Sequence, residues 1–471
     1  MTLANYADEL EDLDRRYVFH PFTSPSDQAG SSPRIIVAGK GAVLRDSRDK
    51  EYIDCMAGLW CANVGYGRAE LAECMKEQTL KLSYYHSFIG MGTDTPALLS
   101  EKLVKMAPGR MSKVFFGNSG SDANDTQVKL VWYYNNVRGQ PLKKKIIARK
   151  RGYHGVTVMA ASLTGFEGMH KGFDLPLPMV RHVKPPHRLW EAEPGMSDAD
   201  FVKLLADDLE KTILAEGPDT VAAFIAEPVQ GAGGVIVPPK GYFAAIQQVL
   251  KKHDVLLIVD EVISGFGRLG TTFGCEAMNI VEPDLITVAK GITSAYVPLS
   301  GVLVSEKVWA TLVEGSAKYG PFGHGFTYSA HPVAAAVALE NLALLEKDRL
   351  IQRAADLGRH MHAGLAKAFK DHPLVGEIRG TGLIGAVEFV DKSRGGRSVP
   401  FDPQLKVGTR ISKRAFEDGV IVRALPAADT VAFSPPFVTT EAQVDRCIET
   451  ARRAADAVMD ELVRERQWKA A

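Results

Sequence analysis

Val255-Leu256-Leu257-Ile258-Val259-Asp260-Glu261 is an apolar run that stops on two carboxylates, and Leu285-Ile286-Thr287-Val288-Ala289-Lys290-Gly291 is a second that stops on a lysine. Short apolar runs without polar alternation are the pattern of strands covered by helices on both faces. Working outward, similar runs occupy Lys113–Phe116, Lys145–Ala148, Val221–Ala226 and Val302–Val304. Helical spacing fills Asp198–Ala215 and Phe243–His253 between some of them. Strand–helix alternation of this kind predicts an α/β domain with a large, mostly parallel sheet.

After about residue 335 the pattern changes. Two helical stretches, Ala334–Lys347 and Ile351–Phe369, precede short strands at Leu383–Val390, Val420–Arg423 and Thr430–Phe433. Thr440 and Gln443 form a capping-box signature, and Val444, Ile448, Ala451, Ala455, Val458 and Leu462 then recur at the three- and four-residue steps of an amphipathic helix. Near the N-terminus, Ile35–Leu44 and Tyr52–Cys55 read as a hairpin with the turn Asp46–Asp49 near its tip. The predicted organisation is an N-terminal segment, 1–65, packing beside a small α+β domain, 336–471, with a large domain, 66–335, between them.

The chain has 471 residues, 46% hydrophobic and 24% charged, enough to bury a core without disulfides or metal. Lys plus Arg number 56 and Asp plus Glu 56, so the formal net charge is zero. That balance argues against nucleic acid or an anionic membrane surface as partner. Five cysteines, Cys55, Cys61, Cys74, Cys275 and Cys447, form no CxxC pair and read as reduced thiols. The acidic N-terminus lacks the apolar core of a signal peptide, and no apolar run is long enough for a membrane span. The expectation is a cytoplasmic protein.

Several chemistries can be set aside. No HExxH, GxSxG or GxxxxGK[ST] occurs, and His360 and His362, two apart on a helix, face different ways, so no metal site is expected. Gly265-Phe266-Gly267-Arg268-Leu269-Gly270 matches the dinucleotide fingerprint GxGxxG. In a nicotinamide-binding fold the glycines follow the strand directly and open a helix. Here Asp260–Ser264 intervene and no helix start follows.

The strand ends carry a different chemistry. A carboxylate at the C-terminal end of a parallel strand sits where such folds bind ligands. A lysine in an apolar pocket can form a Schiff base, and a nearby carboxylate can hold a pyridinium nitrogen. Val114-Phe115-Phe116 runs into Gly117-Asn118-Ser119-Gly120-Ser121 and then a helix-like stretch, a strand–turn–helix cradle for a phosphate. Arg151-Gly152-Tyr153-His154-Gly155 follows the strand Lys145–Ala148 and offers a ring to stack on a cofactor.

With these residues in place, the sequence resembles the class III, or ω-amino, aminotransferases of pyridoxal phosphate fold type I. The resemblance rests on LLIVDEVISGFGRLG and PDLITVAKG within residues 256–291, and on DCMAGLWCANVGYG at 54–67, GNSGSDAND at 117–125, GYHG at 152–155, AEPVQGAGGVIVP at 226–238 and HGFTYSAHP at 324–332. It is similar in particular to the amine–pyruvate subgroup, through His20-Pro21-Phe22-Thr23 and Met56–Cys61.

The resemblance implies that Lys290 carries pyridoxal 5'-phosphate and moves the proton, and that Asp260 pairs with the ring nitrogen. Tyr153 and Val262 would flank the ring, and Ser119, Gly120, Ser121, His154 and Glu227 would complete its surroundings. Thr327 would reach the phosphate from a second subunit of a homodimer, or of a tetramer built from dimers. Phe22, Trp60, Phe88 and Tyr153 would line the substrate pocket, and Arg423 would meet a substrate carboxylate. The activity implied is transfer of an amino group from a primary amine or ω-amino acid to a keto acid, pyruvate foremost, in two half-reactions. A decarboxylase or aminomutase of the same fold is the alternative. Ala295 and Ala330 stand where the family usually has glycine, Ser300 where glycine is common, Asp122 where glutamate is usual and Ser264 where cysteine or threonine is frequent.

Overall fold

A computed structural model describes residues 3–30, 33–392 and 398–469. Its centre is a seven-stranded sheet in the order Met111–Gly117, Ser300–Ser305, Leu285–Val288, Leu256–Asp260, Val221–Ala226, Lys145–Arg149, Val180–Val183. The last five strands of that order are parallel; Ser300–Ser305 runs against both of its neighbours.

Side-chain alternation explains why the runs are apolar throughout. Leu256 and Ile258 point to one face, into a cluster with Val128, Val131 and Tyr134 of the helix Gly120–Val137. Leu257 and Val259 point to the other, into the main core with Phe201, Leu205 and Leu209 of the helix Asp198–Glu216 and Ile246 and Leu250 of Tyr242–Lys252. Both faces are therefore withdrawn from water, and each such aliphatic side chain contributes roughly 1.5–3 kcal/mol of burial.

Two four-stranded sheets complete the molecule. In one, Ile36–Lys40, Val43–Asp46 and Glu51–Asp54 form an antiparallel meander, and Val420–Ile421 pairs in parallel with Glu51–Asp54. The two ends of the chain thus meet in one sheet. The other is antiparallel, ordered Val375–Thr381, Ile384–Phe389, Thr430–Phe433, Arg423–Ala424. The terminal helix Glu441–Arg464 begins at the Thr440/Gln443 capping box, with both reciprocal bonds made, at 2.9 and 3.2 Å.

Four elements differ from expectation; one is Val420–Arg423, which is not a single strand, since Val420–Ile421 joins the N-terminal meander and Arg423–Ala424 the other four-stranded sheet. Ile35–Leu44 is not one strand: the chain reverses between Lys40 and Val43. Val180–Val183 and Val375–Thr381 escaped the sequence reading because charged or imidazole side chains interrupt their apolar character, Arg181 and His182 in one, Glu377 and Arg379 in the other. GFGRLG opens no helix, since the next one is Gly274–Ala277. Its Arg268 is instead fully buried, donates to Leu383 O, Pro435 O and Asn63 Oδ1, and lies over the Phe437 ring. The motif ties the two ends of the chain to the large sheet. Among the described residues no helix is long and apolar enough to cross a membrane.

Candidate active site

Parallel pairing sets Asp260 beside Thr287, so the carboxylate and Lys290 emerge at the same edge of the sheet. A cavity of about 120 Å³ opens there, lined by Gly120, Ser121, Asn124, Tyr153, His154, Gly155, Glu227, Asp260, Val262, Ile263, Ala289 and Lys290. Its lining comes from five separate stretches of chain, which only the crossover topology brings together.

Asp260 is buried with both oxygens occupied. Oδ2 accepts from His154 Nδ1 at 2.9 Å and Asn124 Nδ2 at 3.0 Å, and Oδ1 accepts from the Val262 N–H at 3.1 Å. Burial works against the charge, but these donors more than offset it and hold the carboxyl below its ordinary range. Asn124 is itself fixed, since Thr287 Oγ1 donates to its Oδ1 at 2.7 Å and Gln127 Nε2 donates to Thr287 Oγ1 at 2.6 Å. The sequence reading missed Asn124, Gln127 and Thr287. Asn124 and Gln127 lie three apart on the helix that starts at Gly120, a spacing that places them on one face.

Lys290 closes the opposite wall. Burial pushes its amine below the ordinary lysine range, the Asp260 charge opposes this, and no hydrogen-bond or ion-pair partner meets its Nζ among the described residues. Glu227 is buried and its carboxyl is pushed up by that burial; it accepts from the Tyr153 N–H through Oε1 and from the Gly231 N–H through Oε2, both at 3.0 Å. It shapes two loops at the site. Burial also raises the Tyr153 phenol, against the nearby Arg423 charge.

The helix Gly120–Val137 points its start at the cavity. Ser119 does not line it: its hydroxyl accepts from the Asp122 N–H while Asp122 Oδ2 accepts from the Asn118 and Ser119 N–H groups, and Oδ1 takes the Ser300 hydroxyl. Asp122 and Ser300, two departures from the family pattern, are thus partners at 3.0 Å. The N–H groups of Gly120 and Ser121 remain without an acceptor among the described residues. Gly120 has no room for a side chain, since a Cβ there would come within 3.0 Å of Val262 Cγ2.

Above the cavity, Asp54 organises the loop that carries Trp60: its carboxylate accepts from the N–H groups of Met56 and Gly58 and from the Tyr66 hydroxyl. Trp60 is buried with its indole Nε1 unpartnered, and the Arg423 guanidinium lies 4.8 Å over its ring. No carboxylate pairs with Arg423 among the described residues. Three expected site residues lie elsewhere in this chain. Phe22 is 73% exposed, Phe88 is 40% exposed, and Thr327 is exposed with its carbonyl accepting from Tyr84 Oη. Phe88 and Thr327 share one outer patch: a Cβ at Gly325 would come within 3.0 Å of the Phe88 ring.

The arrangement fits pyridoxal phosphate. A carboxylate held ionised, an unpartnered amine opposite it, a half-buried phenol at the wall and free N–H groups at a helix start are the complementary groups for its ring nitrogen, aldehyde, ring face and phosphate. Fold and site define a pyridoxal-phosphate-dependent enzyme of fold type I. The chain belongs to the class-III aminotransferases, a family that matches residues 26–455. It is 52% identical over 462 residues to the uncharacterized aminotransferase y4uB of Sinorhizobium fredii, covering 98% of each chain. It is 49% identical over 468 residues to the diaminobutyrate–2-oxoglutarate transaminase of Halomonas elongata, covering 98% of this chain and 99% of that one. The omega transaminase of Pseudomonas jessenii in complex with PMP superposes with a TM-score of 0.93 at 46% identity, covering 96% of this chain and 99% of that one. The protein is an aminotransferase with pyridoxal 5'-phosphate as cofactor and small-molecule amines and keto acids as substrates.

Proposed function

We propose that the protein is an ω-transaminase that takes the amino group of a primary amine or ω-amino acid, releases the carbonyl product, and then passes the nitrogen to pyruvate in a second half-reaction. The observation that carries this reading is Arg423, a half-buried guanidinium over Trp60 with no carboxylate partner among the described residues. A planar fork of donors in an aromatic surround suits the carboxylate of a keto acid. An uncharged amine leaves that donor unused and packs on Trp60 and Tyr153.

When bound, pyridoxal 5'-phosphate supplies an electron sink and a carrier for the amino group. Asp260, kept ionised by His154, Asn124 and Val262, would hold a proton on the ring nitrogen. Lys290 Nζ, whose hold on a proton is weakened by burial, would accept the proton lost from the reacting substrate carbon and deliver it to the cofactor carbon that takes up the nitrogen. The N–H groups of Gly120 and Ser121 would bind the phosphate, and Tyr153 and Val262 would flank the ring and exclude water from it.

The same reading includes a shared homodimer. Phe88 and Thr327 face outward on one patch of this chain, which supports their serving the cavity of a second copy.

Acceptor choice is tested with the holoenzyme and one amine donor, varying pyruvate, 2-oxoglutarate and glyoxylate. The expected result is the highest kcat/KM with pyruvate and parallel double-reciprocal plots. The name of the Halomonas relative makes 2-oxoglutarate the competing acceptor; a higher kcat/KM with it would overturn the pyruvate assignment, and carbon dioxide release would overturn transamination as the main reaction.

A further inference from the structure

Behind Tyr153 lies an ion network whose residues do not line the cavity. His187, Glu377 and Glu388 offer ligand-type atoms within 4.8 Å of one another. Their charge is met internally by Arg379 Nη1, which is 2.6 Å from Glu388 Oε2 and 2.7 Å from Glu377 Oε2. Trp190 Nε1 donates to Glu388 Oε1 at 2.7 Å. Burial alone would raise Glu388, yet His187 and the Arg379 and Arg151 charges hold it far below the usual carboxylate range.

The network runs on toward the site through Arg151. A guanidinium can only donate, so His187 Nδ1, 2.5 Å from Arg151 Nη1, is the acceptor, while His187 Nε2 lies 3.1 Å from Glu388 Oε2. Arg151 Nη2 donates to the carbonyl of Ala427 at 2.9 Å. Ala427 sits in the connection between Arg423–Ala424 and Thr430–Phe433, whose own closing bonds are Leu425 N–H to Thr430 O and Thr430 N–H to Ala428 O. Arg151 therefore joins the loop bearing Tyr153 to the hairpin bearing Arg423.

The anchor end is rigid. The Arg151 N–H donates to Gly165 O at 2.9 Å, and the 231–234 loop approaches so closely that a Cβ on Gly233 would lie 1.9 Å from the Arg151 carbonyl oxygen. Tyr153 is held separately, by Glu227, so it does not depend on the Arg151 side chain.

We propose that Arg151 is a positioning residue that fixes the Arg423 hairpin against the Tyr153 loop, and through it sets how the guanidinium meets a carboxylate-bearing substrate. The inference rests on the reading of Arg423 as the carboxylate-binding group.

The test compares Arg151→Met, Arg151→Lys and Arg423→Ala as holoenzymes, with the two half-reactions followed separately. One uses pyruvate and the other a primary amine that has no carboxylate. Arg151→Met is expected to raise the pyruvate KM about tenfold while the amine KM stays within about twofold and the cofactor's visible absorption is unchanged. Arg151→Lys, which keeps one donor toward Ala427, is expected to restore most of the pyruvate KM. Equal changes in both KM values, or no change, would overturn the inference. If Arg151→Met does not fold, the same KM split in Arg151→Lys, smaller in size, decides the matter. Arg423→Ala separates the two readings. An unchanged pyruvate KM there defeats the assignment of Arg423. A raised one, with Arg151 variants showing no split, defeats only the role of Arg151.

Discussion

The floor of the active site and its rim are built on opposite terms. On the floor, the carboxylates are paired: Asp260 takes three donors, Glu227 two N–H groups, and Asp122 and Ser119 close a reciprocal cap. On the rim, the Trp60 indole N–H and the Arg423 guanidinium meet no acceptor among the described residues. The backbone follows the same division. Rim residues Ala57 and Trp60 have φ of 47° and 59°, in the left-handed region that costs most residues about 1–2 kcal/mol, whereas Lys290 is the one non-glycine residue there that lines the cavity, at 47°. A floor fixed by pairing tolerates little change. A rim of loops with free donors is completed by its ligand, and substitutions there adjust the substrate range.

The largest break in this contrast is Asp260→Asn. The amide keeps the shape and loses the charge, and its NH2 group would face the His154 or Asn124 donors. Loss of a preorganised charge at a reacting group costs about 10²–10³ in kcat, or roughly 3–4 kcal/mol. Turnover at saturating cofactor is the measurement. Retention of activity within about threefold would show that the carboxylate does not hold the ring nitrogen.

How far this division was readable in the sequence follows from the same physics. Asp260 and Lys290 were legible because each ends an apolar strand, where a charge is conspicuous, and the large sheet was legible because both its faces are buried. Asn124 and Thr287 were not, since neutral side chains inside a helix or strand carry no mark of the network that uses them. Phe22, Phe88 and Thr327 were carried over by resemblance, and a single chain leaves them on its surface. Arg151 was visible only as a neighbour of Tyr153. Its partners His187, Glu388 and Ala427 are brought to it by tertiary packing alone.

A finer test lies at the back of the floor, with Glu261. It follows Asp260 in sequence and is equally buried, and it is met by the N–H groups of Gly274 and Cys275, at 2.9 and 2.7 Å, and by the Cys275 thiol. Burial outweighs these bonds and raises its carboxyl from 4.5 to about 7. Between those values the folded chain binds a proton that the unfolded chain does not. The stability this contributes is fully present below pH 4.5 and is lost as the pH rises through about 7, a change of about 3 kcal/mol. Glu261→Gln does not titrate, so its stability relative to the parent should rise by about that amount from pH 4.5 to pH 8. Denaturation midpoints at both ends of the range check this; a difference that does not vary with pH would mean Glu261 is charged throughout.

The smallest expected effect is at Ala330, outside the cavity lining, whose φ of 57° is one that glycine adopts without penalty. Ala330→Gly removes the left-handed penalty of about 1–2 kcal/mol and gives back about 0.4–1 kcal/mol through the freer unfolded chain, for a net gain near 1 kcal/mol. A rise in melting temperature of about 1–3 °C is expected, measured with cofactor bound. The Ala330 methyl also packs against the main core, where it opposes this gain. A fall in melting temperature would show that packing outweighs backbone strain at this position.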